Sequence, residues 1–351
     1  MQEADRRISP DAARDLARRA FTTLGVPTPV AEDAAGVLLC AEMMGITTHG
    51  LNRVVSYGAR LAGGGIDPAG RITATRIAPA LVQVDGGNAL GPAVGARALD
   101  AALEAARETG AGVALCRHSN HFGAAAPYCL RACEAGFALM VMSNATPLLA
   151  PAGGRAAAVG NNPLGFGFPA ADGRHVIVDM ALSVVARSRI RRAAETGEPI
   201  PEGWATDAEG RPTTDAAAAM KGVLQGIGGH KGYGLALGVE MLAGVWSGAA
   251  FLTQIADLAR DETEDKPVTQ DLGQAFIVLD LARFQPGDTG AARMAEARAR
   301  LTAIPPAYAD APVRLPGDRA LAHLAQARAE GVPVAARTLA ALRELAGEGA
   351  R

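Results

Sequence analysis

Apolar and polar residues alternate at helical spacing through the first part of the chain. Apolar positions recur every three or four residues after Ser9-Pro10, a pair typical of a helix start. Thr28-Pro29 opens a second helix in the same way, and we expect it to run to about Met44. A third helix is expected to begin near Thr48, with Gly63-Gly-Gly65 ending it. The N-terminal region is therefore predicted to be helical.

Short apolar runs alternate with amphipathic stretches through the rest of the chain. Strands are predicted over 71–84, 112–116, 138–142, 175–180 and 275–279. Helices are predicted over 94–109, 123–135, 182–195, 231–247 and 290–302, with two more on either side of Gly331-Val-Pro333. This alternation predicts an α/β protein whose sheet is covered by helices on both faces.

Composition narrows the class of protein. The 351 residues are too many for one ordinary core, and 49% apolar with 20% charged residues is typical of a soluble globular protein. A net charge of −2 gives no field that would draw the chain to nucleic acid or anionic lipid. The charged start predicts no signal peptide, and no apolar run approaches membrane-spanning length. The four cysteines, at 40, 116, 129 and 133, lack disulfide-framework spacing, which favours a cytoplasmic protein.

The first candidate for chemistry is the segment Gly45-Ile-Thr-Thr-His-Gly-Leu-Asn-Arg53. On the expected third helix, His49 and Arg53 would lie four residues apart, one turn above the other on one face. Arg can grip a carboxylate with two parallel hydrogen bonds, and His can exchange the proton of a neighbouring oxygen. Thr47 or Thr48 is expected to cap the helix. A capped surface helix with an unrelated His and Arg is the competing interpretation.

The second candidate is His118-Ser-Asn-His-Phe-Gly123, which follows a predicted strand. Ligands of α/β proteins commonly bind where strands end, so His121 is a candidate for catalysis or ligand contact. His118 and His121, three residues apart, are also candidate metal ligands, but a zinc site needs a further carboxylate or thiolate that is not evident nearby. A metal-dependent hydrolase built on these two residues is therefore kept as an alternative from a different class.

Two further stretches are rich in glycine. Residues 143–169 are dense in Gly, Asn and Pro, a composition that exposes backbone amides to a phosphate or diphosphate. Gly165-Phe-Gly-Phe-Pro-Ala170 matches the loose dinucleotide fingerprint, but Pro169 stands where a helix should begin, so we reject a Rossmann fold. Lys231 follows glycines at a predicted helix start, where a cation is unfavourable, which indicates an external partner such as a ribose or phosphate.

Asp179 ends an apolar strand run, where a carboxylate is unfavourable unless it is paired. Pairing with a catalytic imidazole would fix the tautomer of that ring and raise its proton affinity. Asp179 is therefore a candidate partner of a catalytic histidine.

Taken together, these stretches resemble the malate/L-lactate dehydrogenase superfamily that lacks a Rossmann fold. That superfamily includes sulfolactate, ureidoglycolate and archaeal-type malate dehydrogenases, 2,3-diketogulonate reductases and piperideine-2-carboxylate reductases. The resemblance covers nearly the whole chain and rests on motifs in order: Gly-Ile-Thr-Thr-His-Gly (45–50) with Arg53, Val-Asp-Gly-Gly-Asn-Ala-Leu-Gly-Pro (84–92), Asn-His-Phe-Gly (120–123), Asn-Asn-Pro-Leu (161–164), Val-Asp-Met-Ala (178–181), Pro-Glu-Gly-Trp-Ala-Thr-Asp (201–207), Pro-Thr-Thr-Asp (212–215), His-Lys-Gly-Tyr-Gly (230–234) and Pro-Gly-Asp (316–318).

The resemblance implies a non-Rossmann, sulfolactate-dehydrogenase-like α/β fold with a mixed sheet. A helical substrate and dimerisation subdomain would comprise 1–75 with 310–351, and an NAD(P)-binding domain 76–309. It also implies NAD- or NADP-dependent interconversion of a 2-hydroxy acid and a 2-oxo acid, in a cytoplasmic homodimer whose active site is shared between subunits. A cyclic-imine reductase is the alternative within the superfamily, and a non-catalytic ligand-binding module is the alternative outside it.

The resemblance also assigns roles by position. His49 would be the acid/base with Asp179 orienting it, Arg53 and Thr48 would bind the substrate, and His121 matches a position named as proton acceptor in some members. The cofactor would contact Asn144, Thr146, Pro147, Asn161, Asn162, Pro163, Leu164, Lys231, Gly232, Pro316, Gly317 and Asp318. The chain departs from the usual motifs at Leu182, Ser188-Arg189, Gln225 and the alanine run after Asp215. These departures concern substrate and cofactor preference more than the type of reaction.

Overall fold

The computed structural model describes residues 6–257 and 268–348, and it begins with the helices expected from the sequence. The elements, numbered in chain order, start with β1 (Arg6–Ile8), α1 (Pro10–Thr23), α2 (Thr28–Met43), a 3-10 turn (Thr47–His49) and α3 (Asn52–Ala62). The Ser9 hydroxyl accepts a hydrogen bond from the Ala12 amide at 3.2 Å, as the helix-start signal predicts. Gly63 ends α3, which is also as predicted.

A seven-stranded sheet forms the centre of the protein. The remaining elements are β2 (Thr73–Ala78), β3 (Leu81–Asp85), α4 (Gly91–Thr109), β4 (Ala111–Ser119), α5 (Ala126–Glu134), β5 (Ala138–Ser143), β6 (Pro147–Leu149), β7 (Val159–Gly160), β8 (Leu164–Phe168), β9 (Val176–Met180), α6 (Arg187–Thr196), α7 (Ala216–Ala219), α8 (His230–Val239), a π-helical segment (Glu240–Val245), a 3-10 turn (Leu252–Gln254), β10 (Leu272–Leu279), a 3-10 turn (Leu281–Arg283), α9 (Thr289–Thr302), α10 (Asp318–Glu330), β11 (Val332–Val334) and α11 (Ala336–Leu345). The strand order in the sheet is β2-β3-β4-β10-β5-β8-β9.

The sheet is mixed, as the resemblance implies. Among the strands that the structure describes, only β3 and β4 pair in parallel within this sheet, and α4 provides the crossover between them. The other neighbouring strands pair antiparallel. The α/β class and the helix-covered mixed sheet are therefore confirmed.

The structure corrects the start of one predicted helix and adds detail at two other predicted elements. The helix expected over 182–195 begins only at Arg187, because the preceding backbone bonds to neighbouring segments: the Val184 amide donates to the Gln225 carbonyl at 2.8 Å. The helix expected over 231–247 is α8, which continues as the π-helical segment. The stretch around Gly331-Val-Pro333 contains β11, which pairs with β1 and joins the two ends of the described chain.

The buried apolar residues form two clusters. The larger lies between the N- and C-terminal helices, α4, α5 and strands β3 and β4. The smaller lies around β5, β8, α6 and α8. The division into 1–75 with 310–351 and 76–309 stays a prediction. No helix within 6–257 or 268–348 is long and apolar enough to cross a membrane.

Candidate active site

One end of the sheet gathers the ends of five strands. In the pairing register, Leu272 lies opposite Ser119, and Leu164 lies opposite both Met142 and Met180. The loops after β4, β5 and β9 therefore start at the same end of the sheet at which β8 and β10 begin. Several predicted site residues fall in these loops or at these strand ends: His121, Asn144, Asn161, Asn162, Pro163, Leu164 and Asp179.

The structure brings His49 and His121 together. Their rings stack with centroids 5.4 Å apart, and the Tyr57 hydroxyl lies 2.6 Å from Nδ1 of His121. Burial, helped by the nearby Arg53 guanidinium, lowers the pKa of His49 to about 4. Burial also holds the pKa of His121 well below its ordinary value, with further repulsion from Arg53, His49 and Arg60. Two neutral imidazoles therefore lie beside a cation.

His49 and Arg53 do not share one α-helix, so that part of the prediction is wrong. His49 ends the 3-10 turn, Gly50 is extended, and α3 begins at Asn52. The cause is Glu42, a buried carboxylate whose Oε2 accepts a hydrogen bond from the Leu51 amide at 2.8 Å. A Cβ added at Gly50 would lie 2.0 Å from that oxygen, so only glycine allows this approach. The chain bends at Gly50, yet the Arg53 guanidinium still lies close enough to the His49 imidazole to lower its pKa.

Thr48 and Arg53 are tied to the turn that carries His49. Arg53 Nε donates to the Thr48 carbonyl at 2.8 Å, and the Thr48 hydroxyl lies 2.9 Å from His49 Nδ1. Neither Thr47 nor Thr48 caps a helix, because the Glu42 carboxylate occupies the amide at the start of α3. The terminal nitrogens of Arg53 have no hydrogen-bond partner within the described ranges, so they are available to an anion.

Asp179 is placed differently from the prediction. Its Oδ2 accepts a hydrogen bond from the Ala126 amide at 2.9 Å, at the N-terminus of α5, where a carboxylate is favourable. Desolvation raises the pKa of Asp179, while the amides of Ala126 and Ala125 lower it. Asp179 is exposed to solvent even though the surrounding protein desolvates its carboxyl group. In the described part of the chain it makes no hydrogen bond or ion pair with His49, and its partners are the amides at the start of α5.

Two asparagines expected at the cofactor have buried side chains that bond within the protein. Asn144 Nδ2 donates to the Ala250 carbonyl at 2.8 Å, and its Oδ1 accepts from the Gly273 amide at 2.9 Å. Asn162 Nδ2 donates to Glu240 Oε2 at 2.8 Å. Asn144 thus holds the segment around Ala250 to the start of β10, and Asn162 holds the loop between β7 and β8 to the π-helical segment, while a cofactor contact at either residue stays a prediction.

The neighbouring residues of both loops are partly exposed. Thr146 and Pro147 lead into β6, and the segment from Asn161 to Leu164 joins β7 to β8. The Thr146 hydroxyl donates to the Ala256 carbonyl at 3.3 Å, and the Asn161 carbonyl accepts from the Leu182 amide at 2.7 Å. Pro163 is also partly exposed, whereas Leu164 is buried. The cofactor contacts of these loops stay predictions.

The start of α8 fits a phosphate-bearing cofactor. Gly228 and Gly229 have positive φ angles of 61° and 65°, and their turn leads directly into the first amides of the helix. Lys231 is exposed, and no partner of its side chain is found in the described residues. A Cβ at Gly232 would lie 2.2 Å from the Ile227 carbonyl oxygen, so a glycine is required there. The helix N-terminus and the exposed lysine together suit a bound phosphate.

The stretch Pro316 to Asp318 lies against β9. The Ile177 amide donates to the Pro316 carbonyl at 3.1 Å, and Gly317 has a φ of 96° that favours glycine. The Asp318 carboxylate pairs with the buried Arg298 at 2.8 Å. Asp318 therefore has a structural partner, and the cofactor contacts of Pro316, Gly317 and Asp318 stay predictions.

The two histidines of the 118–123 segment have separate partners. His118 Nδ1 lies 3.0 Å from the Asp85 carboxylate on the exposed side of β3, whereas His121 Nδ1 faces Tyr57. In residues 6–257 and 268–348, no group of three or more His, Cys, Asp or Glu side chains is arranged to hold a metal ion. The geometry therefore does not support a metal-dependent hydrolase built on His118 and His121.

Sequence reasoning missed Tyr57 and Arg60, which lie on the same face of α3 as Arg53. Arg60 donates to the Asn120 side chain at 3.1 Å and to Gln270 at 3.0 Å. Asn120 in turn donates to the Ala89 carbonyl at 2.9 Å, so the loop that carries His121 is held from two sides. The signal was the spacing of 53, 57 and 60, which is the repeat of one helix face.

Comparison with known proteins identifies the family. The malate/L-lactate dehydrogenase family matches residues 8–343. An L-sulfolactate dehydrogenase of Methanothermobacter thermautotrophicus is 36% identical over 326 residues, which are 93% of this chain and 92% of that protein. A Delta(1)-pyrroline-2-carboxylate reductase of Ancylobacter novellus is 33% identical over 98% of both chains. The structure of a sulfolactate dehydrogenase from Methanocaldococcus jannaschii superposes with a TM-score of 0.87 at 30% identity, covering 98% of this chain and 97% of that one.

These matches confirm the expected superfamily, its fold and the enzyme class, an NAD(P)-dependent dehydrogenase. The match runs through both groups of predicted site residues, from the 3-10 turn with His49 to the stretch around Pro316. The chain belongs to the malate/L-lactate dehydrogenase family.

Proposed function

We propose that the chain interconverts a 2-hydroxy acid and a 2-oxo acid with NAD or NADP, with Arg53 as carboxylate anchor and His49 as acid/base. One observation carries this proposal: a cation with free donor groups lies beside two stacked neutral imidazoles. His121 follows the strand β4, which ends on the same side of the sheet as the strand before Asn144 and the strand that begins at Leu164. A carboxylate next to a carbonyl matches that arrangement, because the carboxylate would bind the Arg53 guanidinium and the carbonyl oxygen would face the His49 imidazole.

The roles of the side chains follow from their contacts. Arg53 binds the substrate carboxylate with the terminal nitrogens that are not bonded to Thr48. Thr48 holds Nδ1 of His49, which leaves Nε2 to exchange a proton with the C2 oxygen. When bound, the nicotinamide supplies or accepts the hydride at C2. Asp179 acts indirectly, by holding the start of α5 behind the loop that carries His121.

Lys231 and the glycine turn before α8 would hold a phosphate group of the dinucleotide. We keep the homodimer with a shared active site and the cytoplasmic location as predictions. An ultracentrifugation measurement of the molecular mass in solution would test the dimer.

A cyclic-imine reductase is the second candidate, because the relative from Ancylobacter novellus, matched along 98% of both chains, is named a Delta(1)-pyrroline-2-carboxylate reductase. The same groups would serve it, with Arg53 on the ring carboxylate and His49 near the ring nitrogen. The two candidates differ in the atom that receives the proton, not in the anchor.

The deciding experiment is a panel of 2-oxo acids and cyclic imines, each tested with NADH and NADPH at the nicotinamide absorbance. Turnover of a 2-oxo acid with a kcat/KM well above that of every imine would support the main proposal. Preferential turnover of an imine would select the second candidate. If wild-type protein oxidises neither reduced cofactor with any member of the panel, the proposed function is wrong.

A further inference from the structure

Two donors converge on one nitrogen of His121. The Tyr57 hydroxyl lies 2.6 Å from Nδ1, and the Gly123 amide approaches the same nitrogen at 3.4 Å. The Gly123 amide also faces the Tyr57 hydroxyl oxygen as a hydrogen-bond donor. Nδ1 is therefore surrounded by groups that bring protons toward it.

The direction of the tyrosine hydrogen bond follows from its burial. Tyr57 is only 4% exposed, so its hydroxyl needs a hydrogen-bond acceptor within the protein. Within the described ranges, His121 Nδ1 is the acceptor that the structure provides. Burial also keeps the pKa of the Tyr57 hydroxyl above its ordinary value, so the phenol stays protonated. The hydroxyl donates, and Nδ1 accepts.

An imidazole that accepts at Nδ1 and is neutral carries its proton on Nε2. The opposite tautomer would point Nδ1–H at the Gly123 amide and leave the Tyr57 hydroxyl without an acceptor. The charged ring would meet the same conflict, and the guanidinium groups of Arg53 and Arg60 together with His49 repel it further. His49 differs, because the Thr48 hydroxyl can either donate to or accept from its Nδ1.

We propose that Tyr57 and Gly123 hold His121 as a neutral Nε2–H donor, which polarises the C2 oxygen of the substrate while His49 alone carries the proton. The tautomer rests on the contacts above, whereas its catalytic meaning rests on the proposed function. Tyr57 is in this view a positioning residue. The two stacked histidines have different roles: His121 is a fixed hydrogen-bond donor, and His49 is the acid/base.

The direct test is NMR of the protein labelled with 15N-histidine, recorded without substrate or cofactor from pH 5 to pH 8. The His121 ring signals are assigned by their loss in His121→Asn. We expect one neutral tautomer with the proton on Nε2 and no titration over this range. In Tyr57→Phe the tautomers should mix or the ring should begin to titrate.

Tyr128→Phe is the matched control. Tyr128 is also buried, and its hydroxyl donates to the Phe122 carbonyl at 2.7 Å rather than to an imidazole. This variant also loses one buried hydroxyl, but the His121 signals should keep the wild-type tautomer. A His121 signal of wild type with the proton on Nδ1, or one that titrates between pH 5 and pH 8, would overturn the proposal.

Kinetics tests the catalytic role separately. His121→Ala should lower kcat by about 10²-fold, the usual effect of removing one donor from a developing oxyanion. His121→Gln keeps an N–H donor and should recover part of this loss, and the pH profile of kcat should keep the group assigned to His49. Full activity in His121→Ala would refute the donor role. The NMR result stands independently, because it needs no turnover, so failure of the tautomer and failure of the proposed function are distinguishable.

Discussion

Binding of a substrate carboxylate at Arg53 is expected to bring a proton onto His49. In the free protein the pKa of His49 is about 4, so the acid required for reduction is absent at neutral pH. A carboxylate bound to Arg53 offsets the guanidinium that helps to depress this pKa, and it also attracts the imidazolium directly. Binding of the substrate would thus protonate His49, the residue that later donates this proton to the substrate.

The size of the effect follows from Coulomb's law. A carboxylate about 5 Å from the imidazolium, at an effective dielectric constant of about 20, contributes about 3 kcal/mol, or about two pKa units. The pKa of His49, about 4 in the free protein, should therefore rise to about 6 in the complex. At pH 5 the free protein would be about 10% protonated and the complex about 90%, so binding takes up about 0.8 proton.

The assay is isothermal titration calorimetry with oxamate, a carboxylate next to a carbonyl that is not reduced. Titrations at pH 5 in two buffers of different protonation enthalpy, with and without reduced cofactor, give the number of protons taken up. Because binding raises the pKa, affinity should increase about 25-fold as pH falls from about 6 to about 4, and it should change little above about pH 7. His49→Gln should abolish the uptake and His121→Gln should keep it. Zero uptake in wild type, or uptake that survives His49→Gln and disappears in His121→Gln, refutes the reasoning.

Three further predictions concern the anchor, the cofactor and the bend at Gly50. Arg53→Lys should lower kcat/KM for a 2-oxo acid at least about 10-fold although charge is kept, because Lys cannot supply the planar two-point grip; equal kcat/KM values would show that Arg53 does not bind the carboxylate. Lys231→Ala should raise the cofactor Kd in a fluorescence titration, whereas the exposed Lys221→Ala should not, and an unchanged Kd in both rejects the phosphate site. Gly50→Ala should lower the free energy of unfolding by about 2 kcal/mol, because its Cβ would overlap a buried carboxylate. Gly36→Ala, mid-helix with its Cβ in ordinary contact at 3.6 Å, should be neutral or stabilising in the same denaturant titration.

Much of the fold could be predicted because its signals are local. Ser9-Pro10 marks a helix start through contacts within one turn, and the apolar runs ending near Cys116 and Met142 mark strands through their own periodicity. The start of α6 could not be predicted in this way. The residues from 182 to 186 read as helical, but their amides bond to segments more than twenty positions away, such as Asn161 and Gln225. Local propensity yields to such pairing.

In the candidate site too, the residues with local sequence signals could be predicted, whereas those that act through long-range contacts could not. His49, Arg53 and His121 are chemically distinctive residues in Gly-rich segments, so the sequence could nominate them. The residues that support them are harder to predict, because each acts across the chain. The spacing of 53 and 57 indicates a shared helix face, but not that Tyr57 contacts a histidine 64 positions away, and Glu42 shapes the turn after His49 from the preceding helix.

Asp179 has a different hydrogen-bond partner from the one that the sequence predicts. A carboxylate at the end of an apolar strand needs a hydrogen-bond partner, and Asp179 has one. The partner is the N-terminus of α5, because helix amides satisfy a carboxylate as well as an imidazole does. With Asp179 occupied there, no carboxylate faces either histidine within the described ranges, and both rings stay neutral in the free protein. The negative charge that the acid/base needs must then come from the substrate, which is why proton uptake on binding tests the whole arrangement.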